Sequence, residues 1–86
     1  MTVKFYGSAL EYVGAEKAVE LETCKNIEVL IEVLGRRYGN EFEEALRSGE
    51  KWFILVNGSG IAHSGGLKTP LQLNDRIDIL PFVEAG

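Results

Sequence analysis

Asp75-Arg76-Ile77-Asp78-Ile79-Leu80-Pro81-Phe82-Val83-Glu84-Ala85-Gly86 is the stretch on which the fold turns. It reads as a strand that becomes a tail. Ile77, Ile79 and Pro81 alternate with Asp78 and Leu80, the period of two that marks a strand. Pro81 has no backbone N–H, so regular pairing is expected to end near it, with the strand running Arg76–Leu80. A glycine at the end offers a carboxylate with no side chain beside it, suited to a narrow channel. A frayed terminus is the plainer reading of the same residues.

Thr2–Gly7 sets Val3 and Phe5 against Thr2, Lys4 and Tyr6, a first strand. Ser8–Gly14 is a loop or a single helical turn. Lys17–Glu22, with Val19 and Leu21 alternating with glutamates, is a second strand. The short connection allows only a hairpin between the two, because a parallel crossover needs more chain.

The helix is the clearest element. Ile27, Leu30, Ile31, Leu34 and Tyr38 recur at i, i+3, i+4, i+7 and i+11, one face of a 3.6-residue repeat. Val29 and Val33 widen that face. Asn26 is the expected N-cap. Glu28 in the first turn and Arg36-Arg37 in the last complement the helix dipole. Gly39 is expected as a left-handed C′ residue. Glu41–Leu46 predicts a short second helix with Phe42, Ala45 and Leu46 facing inward, ended by Ser48-Gly49.

Trp52–Val56 is an unbroken apolar run, which predicts a strand covered on both faces. Asn57-Gly58 supplies the positive-φ pair of a tight turn. Ser59–Gly66 is a glycine- and serine-rich loop. Leu67–Leu73 is irregular backbone, with Leu67, Leu71 and Leu73 plugging the core around Pro70. Helices on one face of a mixed sheet make an α+β domain.

Composition narrows the function classes. The chain has 86 residues, formal charge −4, 45% hydrophobic and 26% charged residues, the profile of one globular domain. No basic cluster exceeds Arg36-Arg37, so nucleic acid is not an expected partner. The apolar run at 52–56 is too short to span a bilayer, so no membrane role is expected. One cysteine, Cys24, and no leader pattern point to the reducing cytoplasm.

Self-contained catalytic sites fare poorly. One His and one Cys cannot complete a zinc site, and no metal is expected. His63 beside Ser64 has no acid at a suggestive spacing to orient it. Cys24 reads as a small residue at a helix entry; the minor reading is a thiol activated by the helix N-terminus. The loops at 58–63 and 60–69 are near misses to dinucleotide and phosphate fingerprints. Asp75 and Asp78 point to opposite faces of a strand and form no carboxylate pair. What remains is the terminal carboxylate. It is a poor electrophile until adenylated, and this chain has no nucleotide site to do that itself.

The element order, the Val56-Asn57-Gly58 turn, the opening Val3-Lys-Phe-Tyr-Gly-Ser-Ala-Leu-Glu-Tyr-Val-Gly14 and the ending Asn74–Gly86 together resemble the ubiquitin-like β-grasp sulfur carriers. Within them the chain resembles the small subunit of molybdopterin synthase. The resemblance implies a β-grasp domain over 1–81 and a tail over 82–86. It implies a first strand antiparallel to the second and parallel to the last. It implies that an E1-like adenylyltransferase activates Gly86 with ATP, the chain binding no cofactor itself. Sulfur is then added as a thiocarboxylate, and the large synthase subunit passes it to a pterin precursor of the molybdenum cofactor. Gly86 is the carrier position; Pro81, Phe82, Val83, Glu84 and Ala85 match the tail that threads into partners. Thiamine, amino-acid or transfer-RNA thiolation, or a non-conjugating binding module, are the alternative roles.

Three positions depart from the family pattern. Phe82 stands where a second Pro is usual, Glu84 where a small residue is usual, and Ala85 where Gly is usual. If the penultimate residue needs positive φ, alanine costs about 1–2 kcal/mol. If it needs an extended φ, only the fit of the methyl in a channel is at stake. Phe82 either anchors a partner or folds back onto its own domain.

Overall fold

The last strand is the centre of the sheet. The computed structural model describes residues 1–14 and 16–82. In it β5 (Arg76–Pro81) lies between β1 (Thr2–Phe5) and β3 (Trp52–Val56) in a five-stranded sheet of order β2-β1-β5-β3-β4. It pairs parallel with β1, Val3 opposite Ile77, and antiparallel with β3, Ile54 opposite Ile79. The hairpin of β1 with β2 (Ala18–Glu20) is antiparallel, Val3 opposite Val19. The short β4 (Ser59–Gly60) folds back on β3 through the Asn57-Gly58 turn, where Asn57 takes φ +51 and Gly58 +89. This is a mixed α+β sheet with the expected strand neighbours.

One helical layer covers one face. α2 (Ile27–Tyr38) begins at Asn26, whose Oδ1 accepts the Val29 N–H at 3.0 Å. Its apolar face is buried as expected: Ile27, Leu30, Ile31 and Leu34 have no exposed surface. They meet Val3, Phe5, Val19, Ile54, Ile77 and Ile79 in a single core. Burial of such side chains contributes roughly 1.5–3 kcal/mol each. Ser8–Gly14 is a 3₁₀ turn, Gly7–Ala9, running into α1 (Leu10–Val13). No helix among the described residues is long and apolar enough to cross a membrane.

Several expectations change. The second helix, α3, is longer than Glu41–Leu46 and runs Asn40–Ser48. Phe42 and Leu46 are buried, but Ala45 is only partly so. Gly39 is not left-handed helical: it sits at φ +111, ψ 162, ending α2 and opening α3 in one residue, with its N–H donating to Gly35 O. The two helices then cross closely at Gly35, where an added Cβ would lie 2.6 Å from that of Glu43. Leu71 is buried, while Leu73 is 64% exposed and plugs nothing.

The largest correction concerns β3. Trp52–Val56 is not covered on both faces. Trp52 and Ile54 enter the core, Leu55 is half-buried, and Phe53 stays 43% exposed. The unbroken apolar run therefore conceals an alternating strand. Its outward positions build a surface instead of a second core.

Candidate functional site

The end of β5 is held from two sides. On the β1 side, pairing stops when the Tyr6 N–H donates to Ile79 O at 3.0 Å and Gly7 turns away at φ +58. On the β3 side, pairing continues through Trp52 opposite Pro81, one residue beyond the expected end at Leu80. The Phe82 N–H then donates to Lys51 O at 3.4 Å. Consecutive N–H groups of a strand point to opposite edges. The N–H that Pro81 lacks therefore falls on the edge that β1 has already left. A proline is tolerated there because no ladder bond is lost.

Phe82 turns back onto its own domain. Its ring meets Phe53 edge-on with centroids 4.2 Å apart, and it remains half-buried. The pair forms one wall of a groove of about 400 Å³, lined also by Trp52, Ile61 and Leu67. Half-buried Leu55 and Leu80 extend the apolar surface across the open sheet face, with Phe53 opposite Leu80 in register. Val83, Glu84, Ala85 and Gly86, the remainder of the expected tail, lie outside the described residues.

Beside this apolar surface lies a polar one that sequence reasoning missed. Asp78, on the open face, is only 7% exposed. Its carboxylate accepts the Tyr6 hydroxyl at 3.0 Å and the Arg76 Nε–H at 3.2 Å. A buried carboxylate is tolerable when its oxygens are bonded in this way. The Tyr6 phenol is in turn pushed above its ordinary pKa, chiefly by that hydrogen bond to Asp78. Asp75 does separate work: it accepts from the Asn57 amide at 2.8 Å and the Gln72 N–H at 2.8 Å, fixing the turn before β5.

The remaining candidates do not assemble into chemistry. Ser64 Oγ is placed against Thr69 Oγ1 and Ile61 O, not against His63. Cys24 is buried, and burial pushes its thiol up, away from the reactive thiolate. Among the described residues, no three His, Cys, Asp or Glu side chains gather as a metal site.

Fold and sheet topology define a ubiquitin-like β-grasp protein. The chain belongs to the ThiS family, whose model matches residues 3–86. A chain in the crystal structure of the Amycolatopsis orientalis BexX/CysO complex is 26% identical with TM-score 0.83, over 99% of this chain and 98% of that one. The crystal structure of Mycobacterium tuberculosis CysO, an antigen, is 26% identical with TM-score 0.82, over 95% and 98%. The solution structure of the small archaeal modifier protein 1 from Methanosarcina acetivorans is 25% identical with TM-score 0.74, over 99% and 94%. A search of curated protein sequences gave no match.

Proposed function

We propose that this protein carries sulfur as a thiocarboxylate on Gly86. Family membership over residues 3–86 is the observation that supports it most directly. The carboxylate of Gly86 attacks the α-phosphate of ATP in an E1-like enzyme, releasing pyrophosphate and forming an acyl-adenylate. Sulfide or its equivalent then attacks the carbonyl carbon. The C–S bond forms, the C–O bond to phosphate breaks, and AMP leaves. The globule contributes recognition, and residues 82–86 contribute reach. The single cysteine supports a reducing cytoplasm as its compartment.

The sulfur is passed to a pterin precursor by the large subunit of molybdopterin synthase, on the resemblance of the opening Val3–Gly14 and the ending Asn74–Gly86 to its small subunit. A different acceptor enzyme is the second reading. It is favoured by the likeness to CysO, seen in complex with BexX in one of those structures. The deciding experiment loads the chain with its activating enzyme, ATP and sulfide, and follows –COOH to –COSH by intact mass. The loaded chain is then offered to the large synthase subunit with its precursor. Loading without transfer would sink the molybdopterin assignment and leave the carrier role standing.

The aromatic pair on the open face is assigned to docking of the activating enzyme. Phe82→Ala removes an edge-on contact worth about 0.5–1.5 kcal/mol, visible as a small fall in the urea midpoint. Binding to the activating enzyme, measured by calorimetry, is expected to weaken by tenfold or more, because a partly exposed aromatic next to the tail is the type of side chain that anchors interfaces. A stability loss with affinity unchanged would confine Phe82 to its own domain.

A further inference from the structure

Gly7 stands where β1 ends and where β5 begins to leave the sheet. Two constraints meet at it. Its φ of +58 is one that side-chain-bearing residues seldom adopt. Independently, a Cβ at Gly7 would lie 2.8 Å from Cγ and 3.1 Å from Cδ of Pro81. The first constraint is shared with Gly14, at φ +68, but nothing lies within 4 Å of a Cβ built there. The second belongs to Gly7 at the root of the tail.

The backbone at Pro81 is held in register, while the ring itself is half-exposed. On its far side that backbone is paired with Trp52. The Trp52 Nε1–H donates to Ser8 Oγ at 3.0 Å, tying the turn that contains Gly7 to β3. The next residue is fastened as well, by the Phe82 N–H to Lys51 O and by its ring on Phe53. A methyl group at Gly7 would push Pro81, and the displacement would pass to Phe82.

We propose that Gly7 is a positioning residue for the carrier reaction, an inference that rests on the carrier reading above. Its bare Cα lets Pro81 lie against the turn after β1, and this close approach sets the direction in which the chain leaves the sheet at Phe82. Gly7 touches no reacting atom; it acts through Pro81. Of the docking surface, Phe53, Leu55 and Leu80 stay in place on the open sheet face, and only Phe82 moves. A change at Gly7 should therefore alter turnover more than recognition.

The test compares Gly7→Ala with Gly14→Ala, a second glycine of positive φ whose Cβ would meet nothing. Gly7→Asn is the third variant, since asparagine accepts positive φ in this chain at Asn57, φ +51. It keeps the contact with Pro81 while easing backbone strain, and so serves if Gly7→Ala does not fold. Conversion of –COOH to –COSH is followed at a temperature where each variant is folded. Both Gly7 variants should lose about tenfold or more in kcat, as small misplacements of reacting groups do. Their KM for the activating enzyme should rise less than that of Phe82→Ala, because only the position of the Phe82 ring changes. The amide and ring NMR shifts of Phe82 should move in the Gly7 variants and not in Gly14→Ala, which should convert at the wild-type rate. Wild-type kcat in a folded Gly7→Asn chain, or an equal loss in Gly14→Ala, would overturn the proposal while leaving the carrier reading intact. A wild-type chain that no activating enzyme converts would overturn the carrier reading and the positioning role with it.

Discussion

Deleting Gly86 is expected to abolish thiocarboxylate formation while leaving the thermal unfolding curve unchanged. The deletion leaves Ala85 as the last residue and shortens the reach past Phe82 by roughly 3.3–3.6 Å. Reacting atoms must come within about 3–3.5 Å of one another, so a shortfall of that size should be disabling. The fold should be indifferent, since among the described residues β5 is paired on both sides and its Ile77 and Ile79 are fully buried. Intact mass after incubation with the activating enzyme, ATP and sulfide reads the first half, and calorimetric melting reads the second. Ala85→Gly is the companion variant. It should convert at least as fast as the native chain, because it restores the family's usual ending and adds no atoms to a channel. Conversion of the chain that ends on Ala85 would refute the assignment of Gly86 as the carrier.

Phe42→Ala should have the largest effect on stability. Phe42 has no exposed surface and sits at the centre of an aromatic cluster. Its ring centroid lies 5.3 Å from Trp52, 5.4 Å from Tyr12, 5.8 Å from Tyr38 and 6.0 Å from Phe5. These rings come from β1, α1, α2 and β3, so Phe42 joins the helical layer to the sheet. Truncation of a buried Phe typically costs about 3–5 kcal/mol. An 86-residue domain holds only about 4–13 kcal/mol in total. The variant is expected to lose about a quarter or more of its urea midpoint, with its m-value unchanged. A loss below about 1.5 kcal/mol would mean that the neighbouring rings collapse into the space and that the cluster is not a keystone.

The centre of the fold was legible because its signals are local. The 3.6-residue repeat of Ile27, Leu30, Ile31 and Leu34, the Asn26 cap and the Asn57-Gly58 turn each depend on residues a few positions apart. Phe42 was legible as an inward residue, but its role was not. Nothing in Asn40–Ser48 says that rings from β1, α1 and β3 will converge with Tyr38 on one side chain. Gly39 was expected to close a helix in the common left-handed way. It instead has to end α2 and start α3 with no loop between them, and that requirement comes from the packing of two helices, not from either one.

Sequence alone determined four of the five strands, the principal helix and the α+β class, because each follows from spacing along the chain; β4 (Ser59–Gly60) was read as part of a loop. Tertiary structure decided which apolar residues are buried. Trp52–Val56 reads identically whether a second layer covers the sheet or not; only the placement of both helices on one face leaves Phe53 exposed and gives Phe82 a ring to rest against. It also decided that Asp78, a charge in mid-strand, is buried between Tyr6 and Arg76, and that Gly7 must be bare for Pro81. Those contacts join residues up to 74 positions apart, and no local pattern encodes a distance of closest approach between such partners.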